Sequence, residues 1–203
     1  MNKEVKDILS KGKKFWNFLW HNDSWLSWIV FLIIVFVLIK FIIFPALSFA
    51  TGSSLPIVIV ESCSMYHDGN FENWWEKNRE WYEEKGIEKE NFEEFNLKNG
   101  FNKGDIFFIR GVKEEKLKLG DTIIFVANGT AKPVIHRIID FNPIQTKGDN
   151  NNINGNEQFA FEKNINPNSI IGKATVVRIP YIGWAKLIFF EPFRSQNERG
   201  FCK

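Results

Sequence analysis

Residues 121–141, DTIIFVANGTAKPVIHRIIDF, contain two short runs of β-branched and aromatic residues, Asp121–Ala127 and Pro133–Phe141, on either side of an Asn-Gly pair. Val, Ile, Thr and Phe suit a pleated, half-buried surface, and Asn-Gly supplies the backbone freedom of a tight reversal. The stretch therefore predicts consecutive strands. The same punctuation recurs on both sides of it. Further strands are predicted over Pro56–Glu61, Asp105–Arg110 and Ile170–Ile179, and Gly-Asp turn signals stand at 104–105, 120–121 and 148–149. Short strands separated mostly by turns predict a mainly β fold, a compact antiparallel domain rather than a βαβ one.

Residues 71–95, FENWWEKNREWYEEKGIEKENFEEF, break that pattern. They are dense in Glu and aromatics without a β-branched run, which predicts helix in two pieces parted near Gly86. This places a helical insertion over residues 66–103. It reads either as a solvated hairpin or as a surface whose Trp74, Trp75, Trp81 and Tyr82 touch a membrane or cover a site. Its acidity argues against strong attraction to anionic lipid.

Upstream, Trp25 to Phe44 reads WLSWIVFLIIVFVLIKFIIF, with Lys40 as its one charge. About 20 apolar residues suffice to cross a hydrocarbon core as a helix. Lys40 is near the end of the run, where a long side chain can reach the headgroups, and Pro45 is expected to end or kink the helix. A cleaved signal peptide is the rival, since Ser48-Phe49-Ala50 has the small-x-small form of a cleavage site. The length of the apolar run and its charged leader favour a retained anchor. Lys3, Lys6, Lys11, Lys13 and Lys14 precede the run, whereas Ser48 to Ser64 holds no Lys or Arg. The positive-inside rule then puts the N-terminus in the cytoplasm and the β domain outside, single-pass in the cell membrane. The expected segments are a cytoplasmic amphipathic stretch (1–24), an anchor (25–47), an extracytoplasmic β domain (48–184) and a tail (185–203). Phe189, Phe190 and Phe193 of the tail either dock on the membrane or lie in a disordered segment.

A formal net charge of +2 and the lack of a basic stripe argue against a nucleic-acid partner. Eight Trp and 21 Phe fit a chain that meets a lipid interface. The two cysteines, Cys63 and Cys202, do not define a redox compartment, and Cys63 reads as a small apolar residue rather than as the partner of Cys202.

The chemistry-bearing residues are few. Ser64, in Ser62-Cys63-Ser64-Met65, is a candidate nucleophile if a base is within reach. Of three histidines, His21 falls on the cytoplasmic side. His67 is so near Ser64 in sequence that it needs special loop geometry. His136 sits mid-strand, held rigidly as a general base should be, although a strand histidine is often purely structural. Asp149 could orient that imidazole or simply cap its own turn. The run Asn150-Asn151-Asn152-Ile153-Asn154-Gly155 lacks the Glu at the twelfth position that a calcium loop requires, and reads as a flexible Asn-rich loop. Neither metal nor cofactor is expected.

Taken in order, the anchor, S-x-S-M at 62–65, G-D-I-F-F-I at 104–109, L-G-D-T-I-I-F at 119–125, V-I-H-R-I-I at 134–139, T-K-G-D-N-N at 146–151 and the late G-K-x(7)-Y-I-G at 172–183 resemble type I signal peptidases. The branch is that of archaea and the endoplasmic reticulum, in which His replaces the lysine base of the bacterial enzymes. The resemblance spans residues 25–184 apart from the 66–103 insertion. It implies a membrane-bound serine endopeptidase with Ser64 as nucleophile, His136 as general base, Asp149 as acid and Ser62 as an oxyanion donor. Secretory preproteins with small residues at −1 and −3 are the implied substrates, beside a lipid bilayer and with room for translocon or accessory subunits. Two departures stand out. The family's Pro after the Met is replaced by Tyr66-His67, and its second Asp, five or six residues after Gly-Asp, is replaced by Asn154-Gly155. Asp149 then orients His136, or Glu157 substitutes after a loop shift, or a Ser–His dyad works alone. A related processing peptidase with other substrates and a catalytically inactive, membrane-tethered binding module are the alternatives.

Overall fold

The computed structural model describes residues 3–127, 129–130, 132–151 and 158–203. The chain divides into two compact units, Met1–Ala50 and Thr51–Lys203.

The first unit is helical. Helix α1 (Lys3–His21) is followed by α2 (Trp25–Leu38), a π-helical turn at Ile39–Ile43, and α3 (Phe44–Thr51). Ser24 caps α2 by accepting from Ser27 N at 3.2 Å, and Ser27 Oγ donates to Phe18 O at 2.6 Å, fastening the two helices. Trp25–Thr51 is one 27-residue helical run, long and apolar enough to cross a membrane. At 1.5 Å per residue it is about 40 Å long, against a hydrocarbon core of about 30 Å. Pro45 does not end the helix. A proline lacks an N–H and crowds the carbonyl four residues back, and the wide turn at Ile39–Ile43 just before it makes room for both defects. The run stops instead at Gly52, whose φ of +66° suits the residue after a helix.

The second unit is a six-stranded antiparallel sheet of half-barrel form. Its strands are β1 (Ile57–Ile59), β2 (Ile106–Arg110), β3 (Thr122–Phe125), β4 (Val134–Phe141), β5 (Ile144–Lys147) and β6 (Ile170–Ile179). Their order is β1-β2-β6-β3-β4-β5. β6 comes last in sequence yet lies in the middle, with Lys173 opposite Arg110 of β2 and Ile123 of β3. Register shifts in the β2–β6, β3–β6 and β4–β5 pairs bend the sheet. Side chains alternate between faces, so Ile123 and Phe125 join Ile138, Ile144 and Ile165 in one core. Ile124 joins Phe107, Ile109, Val60 and Met65 in another.

Two Gly-Asp pairs build the same corner. Gly104 and Gly120 have φ of +90° and +82°, and Asp105 and Asp121 each accept, at 3.0 Å, from the backbone N–H three residues earlier.

The 66–103 insertion contains α4 (Phe71–Glu83) and α5 (Lys89–Glu93), parted at Gly86 with φ of +73°. It is neither a solvated hairpin nor an aromatic surface offered to lipid. Trp74, Trp75, Tyr82 and Phe92 are buried with Ile139 of β4 in a third cluster, because the aromatics fall on one helical face and the glutamates on the other. The tail is ordered as well: α6 (Trp184–Leu187) and two 3-10 turns pack on the domain, with Leu187 fully buried.

Candidate active site

Ser62, Cys63 and Ser64 leave the end of β1 in a turn closed by Tyr66 N donating to Cys63 O at 3.1 Å. Buried Met65 anchors that turn in the core. Asn150 N donates to Ser64 O at 2.7 Å, and Asn150 Nδ2 to Cys63 O at 3.1 Å. Ser64 is half-buried and its Oγ lies 3.1 Å from Ser62 Oγ. The backbone of the serine motif is thus fixed by the turn at Gly148–Asn151.

His136 is buried on β4 opposite Ile123 of β3. Its Nδ1 lies 2.5 Å from Glu162 Oε1, without the alignment of a hydrogen bond. Glu162, in the 3-10 turn Ala160–Glu162, is fully buried. It accepts from Gly148 N at 2.9 Å, Asn151 Nδ2 at 2.7 Å and Phe159 N at 2.6 Å. Three N–H donors and one imidazole therefore converge on one carboxylate, which fixes its position. The other ring nitrogen faces Gly148. A Cβ there would fall 2.9 Å from His136 Nε2 and 2.0 Å from Asn151 Oδ1, so only glycine lets the turn pass this close. Ser64 and His136 make no direct hydrogen bond among the described residues. The 148–151 turn joins them, bonded to the serine backbone on one side and lying on the ring on the other. Catalytic hydrogen bonds are often long in a resting enzyme and tighten with substrate.

Asp149 does not sit beside His136. Arg137 is the next residue on β4, so the pleat sends it to the opposite face, and Asp149 goes with it. Arg137 Nε and Nη2 donate to Asp149 Oδ1 and Oδ2 at 3.0 and 2.6 Å. Its remaining donors reach the carbonyls of Asn96, Gly120 and Leu97. All five guanidinium N–H groups are therefore used, and the ring of Phe92 lies 4.8 Å from its carbon. His67 Nε2 is 2.9 Å from Asp149 Oδ2, and Tyr82 OH donates to Oδ1 at 3.3 Å. His67 is thus engaged with Asp149 rather than free for Ser64, its ring stacked 3.8 Å from that of Trp74. Burial alone would raise the Asp149 carboxyl, but Arg137 and the hydrogen bonds from His67 and Arg137 hold it far below the usual carboxylate range. Burial pushes His67 below the ordinary imidazole value, more than the Asp149 carboxylate restores.

Glu157, the other acid expected, lies outside the described residues, as do Asn152 to Gly155 of the Asn-rich run. Sequence reasoning missed Glu162. Its one signal is an acid preceded by apolar residues in Phe159-Ala160-Phe161-Glu162, shortly after the Gly-Asp turn. It also took Cys63 as unpaired, whereas Cys63 and Cys202 form a disulfide with their Cα atoms 5.5 Å apart. Lys132, beside the candidate site's leading strand, pairs with Glu61 at 2.5 Å rather than standing free as a base. Among the described residues, no group of three or more His, Cys, Asp or Glu is placed to hold a metal ion.

No family model matches the chain. It is similar to the signal peptidase complex catalytic subunit SEC11C of Homo sapiens, 27% identical over 100 residues, which cover 45% of this chain and 52% of the relative. The SEC11 subunit of Lodderomyces elongisporus is 26% identical over 103 residues, 47% of this chain and 61% of the relative. That of Clavispora lusitaniae is 23% identical over 158 residues, 74% and 75%. The chain spans about half the length of the SEC11C relatives it matches. Distant homology thus links it to proteins named as catalytic subunits of signal peptidase complexes.

Proposed function

We propose that this chain is a membrane-anchored serine endopeptidase that removes signal peptides from exported preproteins. One observation carries this reading: a single turn, Gly148–Asn151, holds the Ser64 backbone on one side and the His136 ring with its buried Glu162 on the other. The names of the distant relatives support the same substrate class.

In this mechanism Ser64 Oγ attacks the scissile carbonyl while His136 Nε2 takes its proton. Glu162 stands at Nδ1, which keeps its proton; the carboxylate fixes the tautomer and stabilises the imidazolium. Ser62 Oγ and the Ser64 backbone N–H meet the developing oxyanion. A donor of that kind is worth about 2.7–4 kcal/mol in the transition state. His136 then protonates the leaving amine, and water, deprotonated by the same ring, releases the acyl group. β1 is an edge strand of the sheet, available to pair with an extended substrate. The helix Trp25–Thr51 serves as the anchor, with the N-terminus cytoplasmic. Substrate and enzyme then share one bilayer, which raises their effective concentration.

The test is cleavage of a preprotein by the purified full chain in lipid vesicles. Ser64→Ala and His136→Ala are expected to lower kcat by about 10³-fold or more with the fold retained. Full activity in both variants would overturn the assignment. A panel of preproteins and other membrane-tethered substrates separates signal-peptide removal from related processing.

A further inference from the structure

The segment that follows α6 is folded back onto the residues leading into the serine motif. Arg194 Nη1 donates to Glu61 O at 3.1 Å, and Nη2 to Glu61 Oε2 at 3.0 Å. Lys186 Nζ donates to the other oxygen of that carboxylate at 3.2 Å. Farther along, buried Lys103 donates to Glu198 O at 2.7 Å and pairs with Glu191 at 2.7 Å. Gly200 N closes on Glu191 Oε2 at 2.7 Å, and Phe201 packs on Trp184 with ring centroids 4.5 Å apart. The segment finishes in the Cys63–Cys202 disulfide, which joins positions 139 apart in sequence. Cys63 stands between Ser62 and Ser64. The nucleophile motif is therefore gripped on both sides, through Glu61 by Arg194 and through Cys63 by Cys202.

We propose that residues 185–203 form a strap that positions the nucleophile, with Arg194 and Cys202 as positioning residues, and that opening the Cys63–Cys202 bond lowers activity. This role rests on Ser64 being the nucleophile. Displacing a reacting group by about 1 Å can cost about 100-fold in rate. Without the disulfide, the side chain between the two serines loses its covalent anchor.

The chemistry is ordinary thiol exchange. One thiolate of a small dithiol attacks a cystine sulfur, the S–S bond breaks, and a mixed disulfide forms. The reductant's second thiol then closes its own ring. Cys63 and Cys202 leave as thiols, having gained two electrons and two protons, and the dithiol becomes a cyclic disulfide. Cys202 is half-buried and lines a cavity of about 370 Å³ with His67, Arg178, Tyr181 and Phe201, which is the route offered to the dithiol.

The experiment uses the full chain in lipid vesicles with a preprotein substrate. kcat and KM are measured oxidised, after dithiothreitol, and after reoxidation, the disulfide state being read by thiol alkylation and mass. Reduction is expected to lower kcat about tenfold or more with KM within about twofold, and reoxidation to restore it. Cys202→Ser should sit at the reduced level and ignore the dithiol. Arg194→Gln should lower kcat with the disulfide intact, and Arg194→Lys should recover part of the loss. Unchanged kcat after complete reduction overturns the strap. Amide hydrogen exchange over residues 61–66 gives a readout that needs no activity. Faster exchange on reduction supports the strap even if Ser64→Ala cleaves like wild type and the nucleophile assignment fails, and unchanged exchange overturns it.

Discussion

His136 and Arg137 are consecutive on β4, so the pleat gives each its own face and its own acid. The acid that the sequence reading set beside His136 lies instead on the face of Arg137, and Glu162 stands at the imidazole. Glu162→Gln should leave the fold intact and lower kcat by about 10²–10⁴-fold, as expected when an imidazole loses its orienting carboxylate. Asp149→Asn should instead leave Arg137 buried without its counter-charge and cost about 3–5 kcal/mol, read as a shift in the denaturant midpoint. If the two substitutions gave the reverse pattern, the acid would be Asp149 after all. His67 adds a pH signature. Its folded pKa lies below the ordinary 6.5, so as pH falls below about 6.5 the unfolded chain takes up that proton first and stability is lost. The thermal midpoint should drop between pH 7 and pH 5 in the wild type, with a slope of at most about 1.4 kcal/mol per pH unit from this group. The drop should be shallower in His67→Gln, and identical slopes would remove His67 as the cause. Ser64 and His136 could be singled out as candidates because each stands in a short pattern with few rivals, and their roles belong to the proposed mechanism. Glu162 was not, because its place depends on where a 3-10 turn returns to the sheet, which no local pattern reveals.

At the scale of elements, α4 and α5 show what periodicity tells and what it leaves out. Helix, and a break at Gly86, were readable from composition and one glycine. The destination of the aromatic face was not, because lipid, water and a sheet all leave the same stripe. Its burial on β4 matters to the site: Trp74 Nε1 donates to Asp149 O at 3.2 Å, so α4 supports the 148–151 turn from behind. Phe92→Ala, at the centre of that cluster, should cost about 3–5 kcal/mol in the unfolding free energy. Trp81→Ala, at a half-buried position, should cost clearly less. Equal losses would mean that the insertion packs differently. Gly148→Ala adds a test of the turn: a methyl group meeting Asn151 Oδ1 and His136 Nε2 should lower kcat more than it lowers the thermal midpoint. The helix Trp25–Thr51 carries a similar lesson. Pro45 is a breaker in isolation, but a π turn placed before it lets the helix continue.

Across the whole molecule, the fold class was readable because short β-branched and aromatic runs and Gly-Asp corners recur through the β unit. The strand order was not, since nothing in residues 170–179 says that they belong between β2 and β3. That position has a consequence in time. A chain made from its N-terminus can pair β1 with β2, and β3 with β4 and β5, before β6 exists. Until Ile170–Ile179 arrives, the edges of β2 and β3 that it will cover stay unpaired, each a template for a neighbouring chain. Chains halted before residue 170 should be digested by trypsin as fast as unfolded protein, while the full chain resists. The domain is in this sense a clasp closed late, and the interval before β6 arrives is when a nascent copy most needs a chaperone at its side.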